Sequence, residues 1–136
     1  MPTAREHIAA GTIGGHIYVT GGRQGLNPMV DALERYDPEN DAWEQRSAMP
    51  TARAGIAGAI LDGRLFVFGG EEVGEQVFKD IEVYLPGTDS WTSVTPLPTP
   101  RWGLGAATIG NSIYTVGGGA VPSAQETRTL EISSLK

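Results

Sequence analysis

The chain has 136 residues, of which 40% are hydrophobic and 19% charged, so it is long and apolar enough to bury the core of one domain. Its net charge of −6 disfavours nucleic acid and anionic membrane surfaces as partners, because both carry negative charge. It contains no cysteine, which excludes disulfides, thiolate metal sites and cysteine nucleophiles.

Short apolar runs separated by turn residues predict paired strands along the whole chain. Residues 8–13 and 17–20 flank Gly14-Gly15, and such a link between β-branched runs is typical of a type I′ hairpin. The same hairpin is predicted around Asp62-Gly63 and around Gly110-Asn111. The first strand of each hairpin is built of small residues, which predicts a crowded position near the centre of the fold.

Two further strands are predicted after each of the first two hairpins. The third strand is predicted over residues 32–36 and 80–84, and a short fourth strand begins at Trp43 or Trp91. No segment has the periodicity of a helix, so the chain is predicted to be all-β.

The sequence repeats itself with a period of 48 residues. Residues that keep this spacing are Arg5, Arg53 and Arg101; Gly21-Gly22, Gly69-Gly70 and Gly117-Gly118; Tyr36 and Tyr84; Trp43 and Trp91. The predicted repeats lie at about residues 1–48, 49–96 and 97–136, each a four-stranded antiparallel meander.

The third repeat has no Tyr or Trp in its second half. Its Leu130-Glu131-Ile132 resembles Leu33-Glu34-Arg35 shifted by one residue, so a third strand is predicted there and no fourth, which gives 4 + 4 + 3 = 11 strands.

These features resemble the kelch repeat: an arginine before a small-residue strand, a second strand closed by Gly-Gly, and Tyr and Trp seven residues apart. The resemblance covers residues 1–136 and implies a segment of a β-propeller with three four-stranded blades, the last of them incomplete. It also implies protein binding as the usual role. Some members of the family that the chain resembles are enzymes, such as sialic-acid mutarotases and galactose oxidases. Galactose-oxidase chemistry requires a cysteine-linked tyrosine, and this chain has no cysteine.

The meander is predicted to place the links between repeats on the same rim as the loops that follow each double glycine. These loops, residues 23–30, 71–79 and 119–128, differ most between repeats, as loop-borne binding sites usually do.

Four residues on this rim are candidate contacts for a protein or peptide: Arg5, Arg53, Arg101 and Trp102. The three arginines could form a basic arc that holds an acidic peptide or a ligand carboxylate. Alternatively, each arginine is a structural pin that bonds the backbone or a carboxylate of the next blade.

The remaining polar residues predict no cofactor and no metal site. His7 and His16 fall toward opposite ends of one blade, so they are not expected to share a metal ion. Glu71, Glu72 and Glu75 are interpreted as a solvated acidic loop.

The function predicted from these observations is a kelch propeller module that binds a protein or peptide through the loop-bearing rim. The alternative is half of a sugar-processing enzyme that resembles sialic-acid mutarotase (N-acetylneuraminate epimerase), with the arginines gripping the sugar carboxylate and a glutamate moving a proton.

Three blades are too few to close a propeller, which typically has four to eight. Two arrangements remain open: the chain is the remainder of a longer propeller, or two copies form a homodimer that closes a six-bladed ring. No signal-peptide core or membrane-spanning apolar run occurs in the chain, so the cytoplasm is the expected compartment by default.

Overall fold

The computed structural model describes residues 1–74, 76–121 and 124–133. Three antiparallel sheets follow one another along the chain. The first blade contains β1 (Ala9–Ile13), β2 (His16–Thr20), β3 (Leu33–Asp37) and β4 (Ala42–Arg46). The second blade contains β5 (Ala57–Leu61), β6 (Arg64–Phe68), β9 (Ile81–Leu85) and β10 (Ser90–Val94). The third blade contains β11 (Gly105–Ile109), β12 (Ser112–Val116) and β15 (Leu130–Ser133).

This architecture confirms the predicted all-β propeller segment with an incomplete last blade. In the part of the chain that the structure describes there is no helix, and consequently none that is long and apolar enough to cross a membrane. The strand order in each blade is the order of the chain, as a meander requires. Residues 134–136, which follow the predicted third strand of the last repeat, lie outside the described residues.

Two features differ from the sequence-based predictions. The loops after the second and third double glycines form short two-stranded ribbons, β7 (Glu71–Glu72) with β8 (Gln76–Val77) and β13 (Gly119–Val121) with β14 (Ala124–Glu126). The Gly110-Asn111 turn has a positive φ only at Gly110, as in a type II′ turn, whereas both residues of the Asp62-Gly63 turn have positive φ. The Gly-Asn order suits a type II′ turn because glycine alone must take the positive φ.

The first strands of the blades, β1, β5 and β11, lie next to one another. A side chain added at Gly58 would come within 3.1 Å of the Ala9 Cβ atom and the Ala10 carbonyl oxygen. Small residues therefore occupy these strands because the sheets approach most closely there.

Two apolar cores fill the spaces between successive blades. Between the first and second blades lie the buried side chains of Ala9, Tyr18, Leu33, Met49, Ile56, Leu65, Val67 and Tyr84. Between the second and third blades lie those of Ala57, Ala59, Leu61, Phe66, Phe68, Ile81, Val83, Leu97, Leu104 and Ile113. Each blade is thus stabilised mainly by its neighbours, as in other repeat proteins.

A polar cross-link also joins the outer edges of the first two blades. The Tyr84 hydroxyl donates to the Asp89 carboxylate at 2.6 Å and accepts from Arg46 Nε at 3.2 Å. The Trp91 indole nitrogen donates to the Ser47 carbonyl at 2.8 Å. Burial, with the hydrogen bond to Asp89, raises the pKa of Tyr84 to about 12.

The double glycines bring each blade against the start of the next one. The amide nitrogens of Gly22 and Gly70 donate to the carbonyls of Arg53 and Arg101 at 2.9 and 2.8 Å, and both glycines have positive φ. Gly69 also has a positive φ, of 57°, and a Cβ atom there would overlap the Arg101 carbonyl oxygen.

Replacing Gly69 by alanine is expected to lower the free energy of unfolding by about 2 kcal/mol or more, because the side chain is strained by φ and overlaps backbone. Denaturant unfolding would measure the loss. Gly87→Ala is the control, because Gly87 has open space around its Cα atom and no positive φ, and its change should stay within about 1 kcal/mol. Equal stability of the two variants would contradict the assigned role of Gly69.

Candidate functional site: the loop rim

The same backbone contact occurs in each blade. It joins the link that precedes the first strand to the loop that follows the double glycine. Paired amide-to-carbonyl hydrogen bonds of 2.8 to 3.0 Å join Glu6 to Arg23, Ala54 to Glu71, and Trp102 to Gly119. We call these six residues, together with His7, the loop rim. The same backbone geometry at three successive places makes the loop rim a regular scaffold.

The side chains on this scaffold differ from blade to blade. The link position carries a carboxylate, a methyl group and an indole, at Glu6, Ala54 and Trp102 respectively. The loop position carries a guanidinium, a carboxylate and no side chain, at Arg23, Glu71 and Gly119 respectively. The backbone is therefore repeated while the side chains are not, and of these side chains Glu6, Arg23 and Trp102 reach solvent.

A mixed-charge group lies where the first and second blades meet. Arg23 Nε pairs with the Glu6 carboxylate at 3.2 Å, and Arg23 Nη2 lies 3.4 Å from the His7 ring nitrogen Nε2. Glu71 is buried, and this burial raises the pKa of its carboxyl, while the nearby Arg23 and His7 act in the opposite direction. These charges are partly matched with each other, and Arg23 still reaches solvent.

His7 also holds an unusual backbone conformation, with a φ of 59°. Gly55 and Gly103 occupy the same repeat position with φ of 64° and 63°. The Gly55 amide donates to the His7 carbonyl at 3.0 Å, and the Gly103 amide donates to the Gly55 carbonyl at 2.7 Å. A histidine in a position that favours glycine places an imidazole on the rim.

Trp102 is half-buried on the third blade. Its indole nitrogen donates to the Val121 carbonyl at 3.0 Å, and its ring covers Gly119, where a Cβ atom would come within 2.7 Å of the ring nitrogen. The indole is thus fixed in orientation while part of its surface faces solvent. Fixed, partly exposed tryptophans are favoured at binding surfaces because little conformational entropy is lost on contact.

The three arginines of the repeat lie behind the loop rim. Their side chains have 0% exposure and form ion pairs: Arg5 with Glu34, Arg53 with Glu82 and Arg101 with Glu131, at 3.1, 2.5 and 2.7 Å. They also donate to backbone carbonyls, as Arg5 does to Val19 and Arg53 does to Gly69. Burial lowers the pKa of Arg5, while Glu34 acts in the opposite direction.

This geometry matches the structural-pin interpretation of the arginines and differs from it in one respect. Each carboxylate belongs to the third strand of the same blade, on β3, β9 or β15, rather than to the next blade. The structure confirms the predicted one-residue shift of the third strand in the third repeat. Glu131 pairs with Thr115 in the third blade as Glu82 pairs with Val67 in the second. An arc of exposed guanidinium groups is therefore absent from these three positions.

The remaining polar residues singled out in the sequence are the two histidines and the acidic loop. His16 lies near Asp37 and the Gly14 carbonyl, on the hairpin turn of the first blade and away from His7. Among the described residues, no three His, Asp or Glu side chains could hold a metal ion. Of the predicted acidic loop, Glu71 is buried, Glu72 is partly buried, and Glu75 lies outside the described residues.

Sequence reasoning identified Trp102 on the loop rim but missed Glu6, His7, Arg23 and Glu71 as its companions. Their common signal is their place one or two residues after a repeated arginine, or directly after a double glycine. Comparing these positions across the three repeats would have identified them.

Successive four-stranded meanders, packed face to face and pinned by a repeated buried arginine, define a propeller segment. Residues 1–119 match the profile of the KLHDC2/KLHL20/DRC7 Kelch-repeats domain. The chain therefore belongs to the kelch-repeat family, whose domains are generally protein-interaction modules. A comparison with curated proteins gave no significant match.

Replacing Arg53 by alanine is expected to lower the free energy of unfolding by about 3–5 kcal/mol, because Glu82 would remain buried without its partner. Thermal or denaturant unfolding would measure the loss. Arg35→Ala is the control: Arg35 pairs with Glu44 at 2.6 Å on the surface, and its loss should cost less than about 1 kcal/mol. A fully stable Arg53→Ala protein would contradict the pinning role.

Proposed function

We propose that this kelch segment binds a protein or peptide through its loop rim. The observation that carries the proposal is the change of side chain from blade to blade on an otherwise repeated backbone. Repeated structure explains the backbone hydrogen bonds, but it does not require an indole at one position and a methyl group or a carboxylate at its equivalents.

The chemistry of the loop rim suits a peptide with both apolar and charged groups. Trp102 offers an aromatic surface, and Arg23 and His7 offer hydrogen-bond donors to a carboxylate or a backbone carbonyl. Because Arg23 is partly neutralised by Glu6, a charged partner must compete for it, which favours selective contacts over general attraction to acidic molecules.

The sugar-processing alternative has no observation in its favour. It needs exposed guanidinium groups for a substrate carboxylate, and Arg5, Arg53 and Arg101 are committed to buried ion pairs.

Peptides that bind the native protein would first be selected from a displayed random library. Trp102→Ala and Arg23→Ala are each expected to lower the affinity for these peptides by about tenfold or more. Titration of the selected peptides by calorimetry would measure the loss. Arg35→Ala should bind them as the native protein does, because Arg35 lies mid-strand in β3. Undiminished binding by both rim variants would contradict the proposal.

We also propose that a second copy of this chain covers the two open blade faces, so that two chains close a six-bladed ring. The outer face of the third blade exposes four apolar side chains: Ile109 at 66%, Val116 at 51%, Leu130 at 58% and Ile132 at 58%. By register, these four are the equivalents of Leu61, Phe68, Ile81 and Val83, which the second blade buries against the third.

The outer face of the first blade offers the complementary side chains. Met1 and Ile17 are 41% and 40% exposed, and their equivalents Met49 and Leu65 are buried against the preceding blade. Tyr36 is half-buried, whereas its equivalent Tyr84 is buried against Tyr18.

The two open faces also carry a backbone donor and a backbone acceptor that could pair with each other. Gly22 and Gly70 donate to the carbonyls of Arg53 and Arg101 across the internal interfaces, and the next pair in this series would be the Gly118 amide with Arg5 of a second copy. The described residues give neither of these two groups a hydrogen bond. Head-to-tail contacts about a two-fold axis would satisfy both faces with the same interface twice.

Light scattering at micromolar concentration is expected to give a mass twice the 14.4 kDa of one chain. Ile132→Asp should return the mass to that of one chain, because it places a carboxylate in the apolar interface. Leu26→Asp is the control, since Leu26 is 70% exposed in a loop and has no place in the interface. A native protein that stays monomeric would contradict the ring.

A further inference from the structure

A cleft opens on the second blade at the edge of the core that this blade forms with the third. The cleft has a volume of about 140 Å³ and is lined mainly by Leu61, Phe66, Val83, Leu85 and Val94. The polar residues at its margin are Asp62, Arg64 and Thr92. Apolar cavities of about 150 Å³ can hold one benzene ring, so the cleft has the size and lining for an aromatic group.

The equivalent place on the first blade is filled. There Tyr84 of the second blade packs on Tyr18, with ring centroids 5.7 Å apart, and accepts a hydrogen bond from Arg46. Trp91 packs beside Tyr84, with centroids 5.3 Å apart. Phe66 and Val94, which line the cleft, stand 48 residues after Tyr18 and Arg46.

The cleft is open because the third blade has no aromatic residue to fill it. Tyr84 pairs with Leu65, and the equivalent pair in the third blade is Ser133 with Ile113. A serine therefore stands in the register position of the tyrosine. Among the described residues, the third blade also has no fourth strand, which in the second blade carries Trp91.

The residues that line the cleft also differ from those at the equivalent place on the first blade. In the first blade Arg46 donates to the Tyr84 hydroxyl and the Tyr18 ring packs against Tyr84, whereas the second blade has Val94 and Phe66 at these two positions. Neither of these side chains can form a hydrogen bond, so this part of the lining favours an apolar ring, and the polar groups lie at the margin of the cleft.

We propose that this cleft is a second binding site, separate from the loop rim, that takes an aromatic side chain of a partner peptide. The internal precedent identifies the occupant, because the equivalent cleft on the first blade is filled by aromatic side chains from an adjacent hairpin. The site lies within one chain and uses no residue of the loop rim or of the open end faces, so it does not depend on the proposed function.

The test uses a head-to-tail cyclised peptide with the sequence of residues 83–94 of this chain, which carries Tyr84 and Trp91. Methyl resonances of Leu61, Val83 and Val94 are expected to shift in a saturable manner on its addition. The same peptide with alanine in place of both aromatic residues should cause no shift. Free N-acetyl-tryptophanamide should bind at least about tenfold more weakly than the cyclic peptide, since it contributes one ring only.

Two variants close the cleft from different strands. Thr92→Phe places a ring in it from β10, and Ser133→Phe places a ring at the position equivalent to the tyrosine of the other blades, without a hydroxyl that the lining would leave unpaired. Each is expected to weaken peptide binding by about tenfold or more, and Ser133→Phe should also raise the unfolding temperature by filling the cleft. Ser93→Phe is the matched control, because Ser93 is adjacent on β10, faces the opposite side of the sheet and should leave binding unchanged.

Several outcomes would overturn the assignment. These are an absence of methyl shifts at millimolar peptide, equal binding by Thr92→Phe, and equal affinity for the free amino-acid amide. Binding that begins only after residues 134–136 are removed would assign the cleft to the chain's own end instead. Methyl shifts that follow protein concentration without peptide would assign it to a second copy. By contrast, the assignment is supported if Trp102→Ala no longer binds the peptides selected against the loop rim but shows the same methyl shifts with the cyclic peptide. That result would show that the cleft and the loop rim are separate sites.

Discussion

The buried arginine–glutamate pair is the interaction on which the rest of this structure depends. In each blade it fastens the link before the first strand to the third strand, behind the backbone contact that forms the loop rim. Arg53 also donates to the Gly69 carbonyl, next to the amide by which Gly70 contacts the following blade. A charge buried in this way must be paired, so the pair holds the link, the double glycine and the third strand in one arrangement.

This arrangement separates the residues that build the site from those that give it chemistry. The arginines, glutamates and double glycines repeat and lie out of reach of a partner. At the positions in front of them, whose backbone groups are paired with each other, Glu6, Arg23 and Trp102 reach solvent, whereas Ala54 and Glu71 are buried. Trp102 and Arg23 stand at such positions, and their side chains can differ from those of other blades without disturbing the packing between blades.

The third repeat lacks the Tyr and Trp of the other two, and next to it the second blade keeps a cleft. The apolar face of the third blade is exposed for a different reason, because among the described residues no further blade packs against it. The second blade has Val94 where the first blade has Arg46, so the cleft has no equivalent of the donor that bonds the Tyr84 hydroxyl. An exposed apolar surface of this kind favours association, either with a peptide or with another blade.

The blades, the strand order and the hairpin positions could be predicted from the amino-acid sequence, because they follow from local alternation, turn residues and the 48-residue period. The sequence also predicted a third strand in the third repeat, since the shifted Leu130-Glu131-Ile132 preserves the alternation of that strand, and β15 lies there. It left the arginines between two roles, because spacing shows that a residue recurs and does not show what surrounds it.

The burial of these arginines, with Glu34, Glu82 and Glu131 as partners in the same blade, is visible in the three-dimensional structure alone. The partners lie about 30 residues away on a different strand, a distance at which the local pattern carries no information on contact. The same holds for Glu6 with Arg23, and for the cleft beside Phe66, which exists because Ser133 lies opposite Ile113 in the neighbouring blade. Contacts between strands and between blades depend on register and packing, which are properties of the whole fold.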